Sequence, residues 1–243
     1  MIETTEKFIR VYEDLVKEVN KRAHVSDSHS FEIEKATQRD QGVARHRELL
    51  RYIRDIRHPM QHPKHKSPGP AVHISPAFLA EVEGILNHLR NPPNANSVGV
   101  TRKDMKTAQL TDQLGDLADH MKRTGFSHLP ILDEKDVLIG VFNEAAVFDY
   151  LWHVDEQIVS RSMTVAEVLP HCRLDAQHTE TFRFVAPNTP IDDLIELFRA
   201  IETPLTRVGA VFVALSGKPD KPVQRLITPW DVMSSDKDAG RDV

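Results

Sequence analysis

The chain has 243 residues, of which 40% are hydrophobic and 28% are charged, and its formal net charge at pH 7 is −5. This composition is typical of soluble globular proteins, and the length is sufficient for two small domains or one large one. No apolar run reaches the roughly 20 residues that a transmembrane helix needs, and the only cysteine, Cys172, excludes an internal disulfide. We therefore expect a cytoplasmic protein that does not associate with membranes.

The N-terminal part of the chain is predicted to form an all-α helical bundle. Residues 3–22 carry apolar side chains at helical spacing, and a second helix is expected over about 31–56, with a possible interruption at Gly42. Several prolines then follow between positions 59 and 70. Because proline lacks a backbone donor, we expect no regular helix over that stretch.

A third helix has a recognisable start in the sequence. Ser75 is a residue type that caps helices, and Pro76 suits the first helical position. Further on, the proline- and asparagine-rich residues 93–97 are predicted to be a linker. The first domain is therefore expected to span residues 1–92.

The remaining chain contains a divergent internal repeat, with copies at 98–160 and 161–235 and a polar tail at 236–243. Each copy is predicted to contain, in order, a short strand, a helix, a strand, a hairpin, a strand and a helix. The expected fold class is therefore α+β, with an all-α bundle ahead of a repeated α+β unit.

The second copy ends on an apolar strand that is followed by Thr228 and, three residues later, by Asp231. The free amides and the positive dipole end of a helix start favour an anion at this place. A hydroxyl at the strand end can bond phosphate or ribose, and a carboxylate one turn later can accept from ribose hydroxyls. The alternative is that both residues only cap the helix.

The repeat and this motif resemble the cystathionine-β-synthase (CBS) domain, which occurs in tandem pairs. The resemblance covers about residues 98–235 and implies an adenine nucleotide (AMP, ADP or ATP) as a regulatory ligand. Thr228 and Asp231 would contact its ribose and phosphate, and the neighbouring backbone would flank the base. The residues implied for nucleotide binding are Ile227, Thr228, Asp231, Gly209, Ala210 and Val211.

The first copy departs from the CBS pattern at the corresponding positions. Asn143 and Ala146 stand where the second copy has its hydroxyl and its carboxylate. Because the carboxylate is missing, we expect one principal nucleotide per chain. Arg207, just ahead of a strand of the second copy, is interpreted as a surface arginine rather than a phosphate contact.

The most basic stretch lies between residues 45 and 66, with seven basic and two acidic side chains. Such a stretch suits an anionic ligand such as nucleic acid, or forms a solvated helix face. Within it, Arg47, Arg51 and Arg54 have the spacing of one helix face. This row could follow an RNA backbone electrostatically.

The same stretch contains Arg57 and His58 followed by His62. A guanidinium can hold a phosphate with two hydrogen bonds, and a histidine titrates near neutral pH. His62 could accept the 2′-hydroxyl proton or protonate the leaving oxygen. Arg57 could neutralise the charge of the transition state, with His58 or Arg54 as a second positive contact.

This motif, placed after a long helix in a small helical domain, resembles that of the HEPN superfamily. HEPN domains are helical bundles that usually dimerise, and many are metal-independent ribonucleases. The resemblance implies Arg57, His58 and His62 as catalytic residues of a homodimer. A metal bound by His58, His62 and His65 is the alternative, but the intervening prolines spoil their alignment, so no catalytic metal is expected.

The sequence thus predicts a nucleotide-sensing CBS-pair protein whose HEPN-like domain is a candidate endoribonuclease regulated by nucleotide binding. The expected partners are a second copy of the chain, an adenine nucleotide and RNA. Two alternatives stay open: a non-enzymatic sensor whose helical domain only dimerises or docks a partner, and RNA binding without cleavage.

Overall fold

The structure, a computed structural model, describes residues 2–25, 30–61, 72–153, 159–200 and 206–238. The chain forms two compact units, Met1–Pro93 and Asn94–Val243. Each unit encloses its own hydrophobic side chains, in one cluster in the first unit and three in the second. None of the described helices is both long and apolar enough to cross a membrane.

The first unit contains helices joined by turns and irregular segments, and no strand is found among its described residues. Its helices are α1 (Ile2–Arg22), α2 (Ile33–Thr37), α3 (Gln41–Arg45), α4 (Arg47–Gln61) and α5 (Pro76–Arg90). The longer helices enclose a core that includes Phe8, Leu15, Leu50, Ile53 and Leu89, all of them fully or almost fully buried. Burial of one apolar face of each helix against the others accounts for the bundle.

The helix predicted over 31–56 is wrong, because two short helices and the start of α4 occupy that range, and Gly42, the expected interruption, lies inside α3. Asp40 separates the first two: its Oδ1 accepts from the Val43 N–H at 2.9 Å and caps α3. His46, with φ −100° and ψ 10°, ends α3. An aspartate whose side chain accepts from a nearby backbone N–H favours a helix start over a helix interior. The apolar periodicity continues on both sides of Asp40, so it did not indicate this break.

The helix-free stretch predicted from residue 59 is also wrong at its start, since α4 includes Pro59 and continues to Gln61. A proline removes one backbone donor only, and Met60 packs against the core of the bundle. That contact favours the extra turn. Residues 62–70 lie outside the described part of the chain.

The predicted start of the third helix is confirmed. The Ser75 Oγ accepts from the Phe78 N–H at 3.1 Å, and Pro76 is the first residue of α5. The sequence pattern was sufficient here because a cap depends on a few neighbouring residues.

The second unit combines helices and strands, which confirms the α+β class. Its elements are β1 (Val100–Thr101), α6 (Leu114–Thr124), β2 (Leu129–Leu132), β3 (Leu138–Phe142), α7 (Glu144–His153), α8 (Val165–Cys172), β4 (Glu180–Val185), α9 (Ile191–Arg199), β5 (Arg207–Ala214), β6 (Val223–Ile227) and α10 (Pro229–Asp238).

Two sheets organise this unit. One has the strand order β1-β6-β5-β4, in which β4 and β5 are parallel and the other pairs are antiparallel. The other sheet is the antiparallel hairpin of β2 and β3. Strand β5 is buried from Val208 to Ala214, and β1 of the first copy pairs with β6 of the second. The two copies therefore share one sheet.

The predicted linker, residues 93–97, overlaps the start of the second unit. The Ala95 N–H donates to the Thr189 carbonyl at 2.8 Å, and the Asn96 N–H donates to the Pro187 carbonyl at 3.0 Å. Ala95 is fully buried in a core cluster of this unit. These residues are therefore anchored to the segment that precedes α9.

Candidate functional site

A cavity of about 490 Å³ lies within the second unit, between the two copies of the repeat. The first copy contributes the residues before β2 and the junction of β3 with α7. The second copy contributes the starts of β4 and β5 and the junction of β6 with α10. Two helices of at least ten residues therefore begin at this cavity, each presenting its N-terminal end.

The polar floor of the cavity is a hydrogen-bond network around Glu180, which is 9% exposed. His128 donates from Nε2 to Glu180 Oε2 at 2.8 Å, and Asn143 donates from Nδ2 to the same oxygen at 3.1 Å. The hydrogen bond from His128 holds the pKa of Glu180 below its usual range, although burial acts in the opposite direction. Glu180 is therefore a carboxylate at neutral pH.

Arg207 provides the cationic side chain of the cavity wall. Its Nη2 lies 3.3 Å from Glu180 Oε1, while 80% of the side chain remains exposed. The interpretation of Arg207 as a plain surface arginine is therefore incomplete, since its guanidinium also lines the cavity.

Gly209 keeps space for this network. A Cβ atom at this position would lie 2.7 Å from Glu180 Oε2 and 3.1 Å from His128 Nε2. Any larger residue would displace the carboxylate or the imidazole, because both side chains are held in the network.

Asn143, the first-copy counterpart of Thr228, lines the same cavity and is 3% exposed. Its Oδ1 accepts from the Ala146 N–H at 2.8 Å, which caps α7, and its Nδ2 also donates to Gln177 at 2.8 Å. Ala146 itself is fully buried in the core. The amide thus joins the helix start to the Glu180 network.

Thr228 and Asp231 interact with each other at the start of α10. The Thr228 N–H and hydroxyl both donate to Asp231 Oδ2, at 2.7 Å and 2.8 Å. This is the geometry that the capping alternative expects. Thr228 lines the cavity, whereas Asp231 is not among the described residues that form its wall.

Of the other residues implied for nucleotide binding, one lines the cavity and three do not. Gly209 lines the cavity, while Ala210, Val211 and Ile227 are fully buried in the core. Sequence reasoning did not find His128 or Glu180. They are 52 positions apart and belong to different copies, so no local pattern joins them.

The residues predicted for catalysis lie at the end of α4 in the first unit. The guanidinium carbon of Arg57 stands 5.6 Å from the centroid of the Tyr12 ring, and its buried Nε has no hydrogen-bond partner among the described residues. Burial raises the pKa of Tyr12, and the charge of Arg57 opposes that shift. His58 is exposed on the last turns of α4, and His62 lies outside the described residues.

The arginines predicted to bind RNA all lie on α4, and each pairs with a carboxylate. Arg47 and Arg51 approach Glu34 at 2.6 Å and 2.7 Å, and Arg54 approaches Asp55 at 3.1 Å. The pairs are exposed to solvent, so each contributes little to stability, and each arginine can exchange its carboxylate for another anion. The row carries less net charge than the arginines alone suggest.

Comparison with known proteins gives one family match. Residues 97–153 match the model of the CBS domain. A search of curated proteins found no significant match.

Several solved structures resemble the chain in fold. "CBSX2 in complex with AMP" has 14% identity and a TM-score of 0.43 over 61% of this chain and 98% of that one. A putative acetoin utilization protein (AcuB) from Vibrio cholerae has 17% identity and a TM-score of 0.42, over 60% and 92%. The CBS domain of a bacterial CNNM/CorC family Mg²⁺ transporter in complex with ATP has 20% identity and a TM-score of 0.40, over 65% and 96%. The family match therefore covers most of the first copy of the repeat, residues 97–153, and identifies that segment as a CBS domain.

Proposed function

We propose that the second unit is a sensor that binds an adenine nucleotide in the cavity between the two copies. The observation that carries this proposal is the convergence of two helix N-termini, at Asn143 and Thr228, on one cavity that also holds Arg207. Backbone amides at helix starts and a guanidinium are the groups that bind phosphate. Adenine is the base implied by the CBS resemblance.

The remaining groups of the cavity suit the ribose and the base. Glu180 supplies an ionised acceptor for ribose hydroxyls or for an exocyclic amino group. Trp230, with 76% of its surface exposed, stands at the wall and can stack on an aromatic base. The volume of about 490 Å³ falls within the range of small-molecule sites, roughly 300–1,000 Å³.

The nucleotide proposal is tested by calorimetric titration of the full-length protein with AMP, ATP and adenosine. We expect AMP and ATP to bind. Replacement of Arg207 by alanine (Arg207→Ala) should weaken AMP binding by roughly tenfold or more, because a hydrogen bond to a charged group contributes about 1.5–3 kcal/mol. Adenosine carries no phosphate, so its affinity should change little in this variant.

Arg199→Ala is the matched control, since Arg199 is also an exposed arginine in an ion pair, at 3.0 Å from Glu196 on α9. It should bind AMP as the wild type does. The proposal fails if the full-length protein binds neither AMP nor ATP, or if Arg207→Ala weakens adenosine and AMP equally.

We further propose that the homodimer expected from the sequence forms through α7 and α10. Large apolar side chains are exposed on both helices, including Phe148 at 68%, Trp152 at 78% and Trp230 at 76%. Exposed large apolar side chains that lie close together often mark a protein–protein interface. A homodimer would cover these side chains, with its two chains related by a two-fold axis.

A ribonuclease activity of the first unit is the second candidate function. The observation in its favour concerns Arg57: of the four arginines on α4, three pair with carboxylates of the described chain, while Arg57 faces only the Tyr12 ring there. An arginine held by a ring and not neutralised by an acid is suited to a phosphate. His58 and His62 complete the catalytic set that the HEPN resemblance implies, with RNA as substrate.

In this proposal the nucleotide bound by the second unit regulates RNA cleavage by the first. The competing proposal is a non-enzymatic sensor, in which the helical unit only dimerises or docks a partner. The pairing of Arg47, Arg51 and Arg54 with carboxylates favours this competitor, because it lowers the positive potential along α4.

A further inference from the structure

Three side chains that can bind a metal, Asp149, His153 and His171, converge beside α7 of the second unit, and His178 lies next to Asp149. Asp149 and His153 lie one helical turn apart on α7, His171 lies in the last turn of α8, and His178 lies between α8 and β4. Asp149, His153 and His171 each offer a ligand atom, and these three atoms all lie within 4.8 Å of one another. None of the four lines the cavity proposed for the nucleotide.

The distances fit a small cation. The carboxylate oxygens of Asp149 lie 2.8 Å from His171 Nδ1, 3.3 Å from His153 Nδ1 and 3.8 Å from His178 Nε2. In a tetrahedral zinc site, with bonds of about 2.0–2.1 Å, the ligand atoms stand about 3.3 Å apart. The distances from Asp149 to the three histidines lie on both sides of this value, which fits one ion shared with this carboxylate.

Hydrogen bonding by itself explains only part of this arrangement. A hydrogen bond to the Asp149 carboxylate accounts for the position of His171. A contact of 2.9 Å between His153 Nδ1 and the Asp149 carbonyl oxygen, in the last turn of α7, accounts for His153. Hydrogen bonding does not explain why imidazoles from three separate segments face one carboxylate. A shared cation satisfies all four side chains at once, because neutral imidazole and ionised carboxylate are both metal ligands.

Packing around the cluster buries most of Asp149 and His171, whereas His153 and His178 are exposed to solvent. Asp149 and His171 have side chains that are 16% and 18% exposed, and the Tyr150 ring meets His171 edge-on at 5.4 Å. The side chains of His153 and His178 are 50% and 70% exposed. An ion could therefore enter from the surface and meet two ligands that are already positioned.

We propose that Asp149, His153 and His171, with His178 as the fourth ligand, bind one divalent transition-metal ion of the zinc type. Three imidazoles and one carboxylate suit Zn²⁺, Co²⁺ or Ni²⁺, whereas Mg²⁺ and Ca²⁺ prefer oxygen ligands. The site joins α7 to α8 and to the segment before β4, three parts of the second unit.

The test is titration of the chelator-treated full-length protein with Zn²⁺ alone by calorimetry and with Co²⁺ alone by visible absorption. We expect one ion per chain and the strong absorption bands of tetrahedral Co²⁺. His171→Gln and His178→Ala should each weaken Zn²⁺ binding by at least roughly tenfold, because each removes a ligand. His178 is exposed, so this variant keeps the fold even where His171→Gln disturbs packing.

His73→Ala is the matched control, because His73 is an exposed histidine of the first unit. It should bind Zn²⁺ with unchanged affinity, and Mg²⁺ should give no heat. The proposal is overturned if the wild type binds no Zn²⁺, if Co²⁺ gives only the weak bands of an octahedral ion, or if His73→Ala loses affinity as much as His178→Ala.

Discussion

At the residue scale, Gly99 shows how a single backbone position can hold a strand in place. Its φ is +74°, and a Cβ atom there would lie 2.3 Å from the Leu226 carbonyl oxygen and 2.9 Å from the Ile227 side chain. The residue directly precedes β1, which pairs with β6 at Leu226. Only glycine fits both the left-handed conformation and the close approach.

Gly99→Ala is therefore expected to destabilise the second unit by roughly 2–5 kcal/mol, from backbone strain and overpacking together. The measurement is urea unfolding followed by tryptophan fluorescence, since both tryptophans of the chain lie in this unit.

Gly125→Ala separates the two causes. Gly125 also has a positive φ, +76°, but no atom of the described residues beyond its chain neighbours lies within 4 Å of its Cβ position. We expect this control to cost roughly 1–2 kcal/mol. Equal losses in the two variants would contradict the role of close packing at Gly99.

At the element scale, α7 and α10 each follow the last strand of a copy and expose apolar side chains at the surface of the unit. Trp152→Asp introduces a charge into this surface on α7. We expect the wild type to be a dimer by size-exclusion chromatography with light scattering, and this variant to shift toward the monomer, because an unpaired charge is costly to bury.

Leu215→Asp is the control for that experiment. Leu215 is 59% exposed and belongs to the same unit, but it follows β5 rather than lying on α7 or α10. It should leave the dimer intact. A wild-type chain that is monomeric, or a Trp152→Asp variant that remains dimeric, would refute the proposed interface.

At the scale of the whole molecule, the two units would act together as a nucleotide-controlled ribonuclease. We expect the full-length protein to cleave RNA without added metal, and bound AMP or ATP to change the rate. DNA should stay intact because it lacks the attacking 2′-hydroxyl. His62→Ala should reduce cleavage by about 10²-fold or more, the usual contribution of a general acid or base.

His73→Ala again provides a control, as a histidine of the same unit outside the motif, and should cleave RNA at the wild-type rate. Cleavage that survives in purified His62→Ala would remove the catalytic assignment. A wild-type protein that binds nucleotide and never cleaves RNA would support the non-enzymatic sensor.

Features set by neighbouring residues could be predicted from the sequence. The Ser75 cap, the start of α5 at Pro76 and most strands and helices of the repeat depend on short spacings and apolar periodicity. The exception is α8, which precedes the first strand of the second copy and was not predicted. The short helices before α4 were missed, because the capping by Asp40 interrupts a pattern that is periodic on both sides.

What the sequence by itself determined is the α+β class, the repeat and the CBS resemblance, since these depend on periodic patterns within each copy. Only the tertiary structure brought Glu180 to His128 and Asn143, and Asp149 to His171 and His178. The physical reason is that these groups are distant along the chain and meet through strand pairing and helix packing. The spacing of residues along the sequence does not predict these long-range contacts, because burial and hydrogen bonding in the folded chain determine which side chains share a site.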